Sequence, residues 1–295
     1  MASPCYAIIT PVRDEEEYLS LTLASVAQQT VIPFRWIIVD DGSTDGTGAI
    51  ADEAARTYSW VRVIHRTDRG FRQAGTGVIH AFNDGYQAIG NCNWEFLVKL
   101  DGDLSFEPDY FEKCFARFAC DPKLGIGGGT ISQKVGEQLV AEAPNDPVFH
   151  VRGATKIYRR RCWEAIGGLL DAPGWDTVDE YKANMLGWST YTFPELKIRH
   201  HRHAGGAHGT WNNWVKNGLA NYVAGYHPLF MGVKCGRRVF AKPYGVGALG
   251  LFIGFLSGYL RSVPQVNDKA LVRYIREQQL RRLLGRESLW DRKAA

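Results

Sequence analysis

Two aspartates one glycine apart, Asp101 and Asp103, close the apolar run Phe96-Leu-Val-Lys-Leu100. A short run of that composition reads as a buried strand. Both carboxylates then stand where the strand becomes a loop, at the edge of a sheet. Carboxylates that close repel one another and resist joint ionisation in a partly buried place. A hard divalent cation removes the conflict, and carboxylates suit Mg2+ or Mn2+. Gly102 between them lets the backbone turn and lets a ligand come close. A plain Asp- and Gly-rich surface turn would look the same in isolation, so the surroundings decide.

Those surroundings alternate between strand and helix patterns. Tyr6–Thr10 reads as a first strand, and Asp14–Gln29 as a helix with acids in its first turn. Phe34–Val39 is a second strand running into Asp40-Asp-Gly-Ser43. Thr47–Thr57 is an Ala-rich helix, Val61–His65 a third strand, Val78–Ile89 a helix, and Trp94–Leu100 the strand that delivers the aspartates. Such alternation marks an α/β fold with a mostly parallel sheet and helices on both faces. Ligands bind beyond the carboxyl ends of strands in open sheets of this kind. Thr10–Arg13, Asp40–Ser43 and Asp101–Asp103 all lie at such ends, so three polar clusters are expected around one crevice. Further on, Tyr110–Ala119 looks helical and Gly125–Lys134 looks like a strand entered through glycines. Its GIGGGT stretch lacks the GxGxxG spacing and does not follow the first strand, so close packing or room for a substrate is expected, not a dinucleotide site. Val151–Arg161 reads as a strand followed by a basic turn, Asp176–Leu186 as a helix, and Tyr191–Phe193 and Leu196–Arg199 as short extended runs.

The chain has 295 residues, 45% hydrophobic and 22% charged, which fits one large globular domain or a domain with an appendage. Six scattered cysteines without a CxxC pair read as reduced thiols, not as a disulfide frame or zinc site. No secretory signal is read at the N-terminus. Charge is unevenly spread. Residues 199–295 carry 16 Lys/Arg against 4 Asp/Glu, while residues 1–198 carry 19 against 27. A basic tail on an acidic body suits an anionic partner; its apolar content favours a membrane over nucleic acid. Tyr244–Leu260 has no charge but falls short of the roughly 20 residues that span a bilayer. Gly250, Gly254 and Gly258 give it the small-xxx-small spacing of close helix packing. A membrane-embedded or re-entrant hairpin, paired with Tyr222–Val233, is expected; a buried core helix is the alternative. Ala270–Arg286 reads as a basic helix whose Leu271, Ile275, Leu280, Leu283 and Leu284 suit anionic headgroups.

With Thr10-Pro-Val-Arg-Asp-Glu15, Asp40-Asp-Gly-Ser43, Gly77–Gly85, Asp101-Gly-Asp103 and the Gly167–Gly187 segment in this order, about residues 5–205 resemble the family 2 glycosyltransferases of the GT-A fold. The resemblance implies an inverting enzyme of the membrane-associated bacterial type. It would move a sugar from a nucleoside-diphosphate sugar to a hydroxyl acceptor. Thr10, Pro11, Arg13 and Glu15 would line the nucleotide pocket, and Asp41 would accept a hydrogen bond from the base. Arg72 would touch phosphate or base, and Asp101 with Gly102 would face the ribose and the metal. Asp103 would ligate Mn2+ or Mg2+ bridging the two phosphates, with His200 and His201 reaching metal or diphosphate. Asp14 stands where relatives often have Asn, and Asp40 would brace its own loop.

Counting back from Gly187-Trp188 places the family's Glu-Asp pair on Trp175-Asp176. Asp176 therefore corresponds to the base that takes the acceptor proton, and Trp175 departs from the pattern. Asp179 and Glu180, on the same helix face, are the other candidates; acids at a helix N-terminus are the plainer explanation of all three. Trp175 itself would stack on sugar or pack in the core. The expected division is a transferase domain over residues 1–205 and a basic, apolar, membrane-associated helical region over 206–295. The expected setting is the cytoplasmic face of the plasma (inner) membrane. A UDP-sugar is preferred to a GDP-sugar as donor, with a lipid-linked or cell-envelope saccharide acceptor and no nucleic acid. A nucleotidyltransferase making sugar nucleotides would want a Gly- and Arg-rich phosphate loop after strand one, and Thr10–Glu17 lacks glycine there. A haloacid-dehalogenase-like phosphatase would place its DxD after the first strand, whereas about a hundred residues of alternating elements precede this one. A non-catalytic membrane adaptor would not need Asp103 and Asp176 together.

Overall fold

Each apolar run read as a strand forms one in the computed structural model, which describes residues 4–70, 76–90, 92–202, 210–241 and 243–291. The chain begins β1 (Tyr6–Val12), α1 (Leu19–Ala27), β2 (Arg35–Asp40), α2 (Thr47–Thr57), β3 (Val61–His65), α3 (Thr76–Ile89) and β4 (Phe96–Leu100). These strands pair in parallel in the order β3-β2-β1-β4. Alternate residues face opposite ways along a strand, and both faces are covered. Tyr6, Ile8, Trp36 and Ile38 pack with Leu19, Val26 and Ala51 of α1 and α2. Ala7, Ile9, Ile37 and Val39 pack with Ala81, Phe82 and Ile89 of α3.

The second half follows as β5 (Leu104–Ser105), α4 (Tyr110–Cys120), β6 (Leu124–Val135), β7 (Gln138–Ala141), β8 (Thr155–Arg159), α5 (Arg160–Ile166), α6 (Trp175–Met185) and β9 (Ser189–His200). The sheet is mixed, which corrects the expectation of a mostly parallel one. A hairpin turn at Gly136, with φ +61°, joins β6 to β7 and breaks the strand–helix alternation. The chain then returns as β8, antiparallel to both β4 and β6, with Leu100 opposite Thr155. The glycines of β6 serve close packing: a Cβ at Gly129 would fall 2.4 Å from the Leu196 carbonyl oxygen, and one at Gly125 2.5 Å from Cys162 Sγ.

Three local differences have physical causes. The helix expected from Asp14 starts only at Leu19 and has no acid in its first turn. Asp14 itself takes φ +54°. The Asp14, Glu15 and Glu16 amides donate instead to Ser43 Oγ (3.0 Å), Thr47 Oγ1 (2.7 Å) and Asp45 Oδ2 (3.2 Å), which locks this loop against the DDGS loop. The basic turn expected after β8 is the short helix α5. The two short runs near residue 195 are one strand, β9, whose register with β6 slips between Gly129 and Thr130.

Four helices close the chain: α7 (Thr210–Val223), α8 (Pro228–Val239), α9 (Val246–Leu260) and α10 (Lys269–Leu283). The glycine stripe of α9 seats on α7. A Cβ at Gly254 would lie 2.0 Å from the Val215 carbonyl oxygen, and one at Gly258 2.2 Å from the Tyr222 ring. Gly218 of α7 reciprocates, with Leu251 O only 2.2 Å from its Cβ position. The main seam thus runs along 214–222, N-terminal to most of the expected 222–233 partner, with α8 packing alongside α9. Among the described residues no helix is long and apolar enough to cross a membrane. The apolar face of α10 also turns inward: Leu271 and Ile275 are fully buried beside Tyr181 and Tyr226, and only Leu284 of its predicted apolar set stands exposed. That face is consumed by the protein's own core and does not lie on headgroups.

The seam leaves no room for a side chain. Gly254→Val is therefore expected to lower unfolding free energy by about 2–3 kcal/mol or more. Gly236→Ala on α8, where nothing lies within 4 Å of the Cβ position, should be neutral or stabilising. Urea unfolding of the two variants beside the parent chain measures both.

Candidate functional site

The Asp101–Asp103 loop is fixed from below and from the side. A Cβ at Gly102 would sit 2.7 Å from Val12 Cγ1, so glycine is what lets this turn press against the end of β1. The Asp101 amide donates to the Ala154 carbonyl at 2.9 Å, tying the loop to the turn before β8. The two carboxylates then part company. Asp101 Oδ1 is ion-paired with Lys99, whose side chain is buried in β4. Asp103 Oδ2 accepts from His200 Nε2 at 3.2 Å and faces Arg202 Nε at 3.7 Å. Asp103 Oδ1 is buried and has no hydrogen-bond partner among the described residues. Burial works against charge on Asp103, but His200, Arg202 and Lys99 outweigh it and hold the carboxyl below the usual carboxylate range.

His200 ends β9 with Asp103 on one ring nitrogen and Glu142 Oε1 on the other, the latter at 2.5 Å. Burial alone would lower it, yet the two carboxylates push it up to about 10, so the ring carries a proton and a positive charge at neutral pH. His201 points elsewhere, with Nε2 2.8 Å from Ser105 Oγ and its ring stacked on Tyr18. Burial and Arg199 lower its pKa. Arg202 reaches across to the loop after β1: Nη2 donates to Glu15 Oε2 at 2.6 Å and to the Asp14 carbonyl at 3.2 Å, over the Tyr18 ring.

At the neighbouring strand ends, Asp40 Oδ1 accepts from the Ser43 amide at 2.9 Å, the loop brace its position suggested. Asp41 is clamped, with Oδ1 2.7 Å from Arg69 Nη1 and both oxygens engaged by Arg66 and Arg69. Arg13 Nη1 donates to the Asp41 carbonyl at 2.6 Å, and Nη2 pairs with Asp68 at 2.7 Å. The Thr10 hydroxyl is fully buried and accepts from Trp36 Nε1 at 2.8 Å, whereas Pro11 remains half-buried. Arg72 lies outside the described residues.

The three acids of α6 fall into two kinds. Asp179 and Glu180 are enclosed around Lys156, which reaches in from β8: its Nζ lies 2.8 Å from Asp179 Oδ1 and 2.8 Å from Glu180 Oε1. Tyr158 OH donates to Asp179 at 2.6 Å, while the Val151 amide and His150 Nδ1 hold Glu180 at 2.7 and 2.9 Å. Burial pushes Asp179 up to about 6, against the pull of Lys156 and Tyr158. Asp176, by contrast, is half-buried in the first turn, and its carbonyl accepts from Lys156 Nζ. Its carboxylate borders Gly153, whose Cβ position would be 3.1 Å from Asp176 Oδ2. The turn 152–155 thus touches Asp176 at one residue and binds Asp101 at the next. Trp175 is buried, with the Lys99 and Lys156 ammonium groups 5.6 and 5.7 Å from its ring.

The structure therefore joins Asp103, Glu15, His200 and Arg202 in one charged network, sets the Asp101–Lys99 pair beside it and brings Asp176 to its flank. It also adds residues that the motifs did not name: Lys99, Glu142, Lys156 and Arg202. A lysine inside an apolar strand was the available signal, because a charge buried there needs a partner. Among the described residues no group of three or more His, Cys, Asp or Glu side chains is arranged to hold a metal ion.

Residues 7–167 match glycosyl transferase family 2, and the chain belongs to that family. It is 33% identical over 113 residues to the EpsH protein of Bacillus subtilis (strain 168), covering 38% of this chain and 30% of that one. It is 32% identical over 184 residues to the polyprenol monophosphomannose synthase of Mycolicibacterium smegmatis, covering 57% of this chain and 67% of that protein. Among solved structures, the mannosyltransferase PcManGT from Pyrobaculum calidifontis, in complex with GDP-Man and Mn2+, superposes with a TM-score of 0.56 at 19% identity. That match covers 98% of this chain and 77% of the other. S. aureus TarS with UDP-GlcNAc gives 0.55 at 15% identity, covering 89% and 74%. These likenesses define a GT-A-like mixed α/β fold.

The buried acids carry a pH signature. Burial alone would lower His150, but Glu180, and more weakly Asp176 and Asp146, raise its pKa above the ordinary value. The folded chain then binds this proton more tightly than the unfolded chain, whose imidazole titrates near about 6.5. The stabilisation is fully present below that pH and is lost as pH rises through the folded value. Unfolding free energy should fall on the alkaline side of about 6.5, and His150→Gln should reduce that slope, with the remainder carried by His200 up to about 10. Chemical denaturation across the range checks it.

Proposed function

We propose that the protein is an inverting glycosyltransferase that moves a sugar from a nucleoside-diphosphate sugar to a hydroxyl of a lipid-linked or cell-envelope saccharide acceptor. The observation that supports this reading is the 152–155 turn, which holds the Asp101–Asp103 loop through the Asp101 amide and borders the Asp176 carboxylate, so that two carboxylates stand on either side of it. One is Asp103, ionised, with a buried oxygen lacking a hydrogen-bond partner among the described residues. The other is Asp176, half-buried at the start of a helix anchored from beneath.

Asp103 fits a divalent cation. Mg2+-type ions take one or two carboxylates and complete their shell with water and substrate phosphates, so a dense protein cage is not required. Asp103, with Asp101 beside it, would hold Mn2+ or Mg2+, and the ion would supply Lewis-acid neutralisation of charge on the departing diphosphate. His200, between Asp103 and Glu142, would stand on the diphosphate side of this arrangement, whereas His201 is engaged by Ser105 and Tyr18. Arg13, Glu15, Pro11 and Asp41 would frame the nucleotide, with Thr10 supporting them from the core. A UDP-sugar is the preferred donor and a GDP-sugar the alternative; solved proteins of this fold are complexed with GDP-Man and with UDP-GlcNAc.

Asp176 is the base in this reading. It accepts the acceptor hydroxyl's proton as that oxygen attacks the anomeric carbon from the face opposite the leaving diphosphate. Asp179 and Glu180 are already engaged by Lys156, Tyr158 and His150 and position the helix. Residues 1–205 would carry the chemistry and residues 206–295 would keep it at the cytoplasmic face of the membrane, where the acceptor is met. The polyprenol-linked product in the name of the mycobacterial relative supports the lipid side of this proposal.

Asp176→Asn should reduce transfer of labelled sugar to a membrane lipid extract by about 10²- to 10⁴-fold, the typical contribution of a positioned base. Donor-nucleotide affinity should stay unchanged. Transfer within a factor of a few of the parent enzyme would contradict the assignment.

A further inference from the structure

Nineteen large apolar side chains stand exposed among the described residues, and twelve of them fall within residues 229–260. They form faces and are not scattered. On α8 and at its C-terminal cap, Leu229, Val233 and Phe240 stand exposed, with Gly232 and Gly236 open between them. On α9, Leu249, Phe252, Ile253, Leu256 and Leu260 lie opposite the glycines that seat on α7. Phe240 is 83% exposed and Leu260 78%. α9 has no charged residue anywhere along its length. A helix apolar all round is ordinarily buried on every side, yet this one is covered on one face only. A patch of this kind on a folded chain marks an interaction surface.

Charge decides what covers it. Residues 229–261 contain five Lys/Arg and no Asp or Glu. Arg237 and Arg261 are exposed beside the apolar faces, and α10 adds exposed Lys269 and Arg273. A second copy of the chain docking isologously would set this acid-free, cationic patch against itself. A bilayer with anionic headgroups matches it in both respects, apolar beneath and negative at the rim. At 1.5 Å per residue, α9 is roughly 22 Å long and suits lying along an interface more than crossing one.

We infer that α8 and α9 form a monotopic docking surface that inserts side by side into the headgroup–acyl boundary of an anionic membrane. Leu229, Val233, Phe240, Phe252, Ile253 and Leu260 provide the buried face, and Arg237 and Arg261 meet the phosphates. The inference rests on the proposed function only for the presence of an acceptor at a membrane; the donor site is separate from this surface.

Vesicle flotation of the full chain without detergent tests it. The protein should float with phosphatidylcholine vesicles containing phosphatidylglycerol and bind pure phosphatidylcholine on the order of tenfold more weakly. A Phe240→Asp/Phe252→Asp/Leu260→Asp variant should lose flotation by on the order of tenfold or more. Its circular dichroism, thermal midpoint and nucleotide-induced thermal shift should be unchanged. Arg237→Glu/Arg261→Glu should weaken binding to the anionic vesicles alone. Parent protein left behind by both vesicle types, or a triple variant that floats like the parent, overturns the inference. So does a concentration-dependent dimer abolished by the same substitutions without vesicle binding, which assigns the face to a second copy. Flotation without any nucleotide-induced shift would instead count against the donor site and leave this surface standing.

Discussion

A single buried ammonium group holds the candidate catalytic end of α6 in place. Lys156 Nζ meets Asp179, Glu180 and the Asp176 carbonyl, all from one helix. None of these charges is tolerable alone in the interior, and breaking such a pair typically costs about 3–5 kcal/mol. Lys156 belongs to β8, whose register against β4 sets Thr155 opposite Leu100, one residue before the Asp101–Asp103 loop. The same cation therefore fixes a helix start to the strand that carries the aspartates. Asp179 and Glu180 are committed to that anchorage, and this leaves Asp176 as the α6 acid with a half-open carboxylate.

A similar division runs through the aspartate pair. Lys99, buried two residues before Asp101, engages that carboxylate, while Asp103 is held by His200 and Arg202 at the far side. The pair is divided as a result: His200, Arg202 and Lys99 favour charge on Asp103, whereas burial and the nearby Asp103 raise the pKa of Asp101 against the pull of Lys99. Arg202 links the end of β9 to Glu15, and Arg13 links the first loop to Asp41. The ends of β1, β2, β4 and β9 are thus laced together by charge. The lacing explains why a chain with an acidic body spends buried and half-buried arginines at these loops.

Much of this was written in local sequence. β1 to β4, α2 and the acid-bearing loops follow from apolar runs that end at Asp and Gly, because burial on both faces leaves no other home for such segments. The mixed half of the sheet did not follow, since nothing in the 125–141 stretch announces that β6 will fold back as a hairpin before β8 enters beside β4. The Asp14–Glu17 acids mimic a helix start, yet Ser43, Asp45 and Thr47 from a distant loop capture their amides. Spacing identified Gly250, Gly254 and Gly258 as a packing stripe, but the partner helix depended on tertiary placement. Lys99 and Lys156 showed in the sequence as charges inside apolar strands; only the fold reveals which acids they meet. The choice among Asp176, Asp179 and Glu180 depends on burial that helical spacing does not encode.

The account stands on Asp103 as the carboxylate that brings a divalent cation to a bound nucleotide. Isothermal titration of UDP and GDP, with and without Mn2+, to the parent chain and to Asp103→Asn measures this directly. The account predicts that one nucleotide binds the parent chain on the order of tenfold or more tightly with Mn2+, and that Asp103→Asn abolishes that gain while remaining folded. An Asp103→Asn chain with the parent's full Mn2+-dependent affinity, or a parent chain indifferent to the metal for both nucleotides, would contradict it.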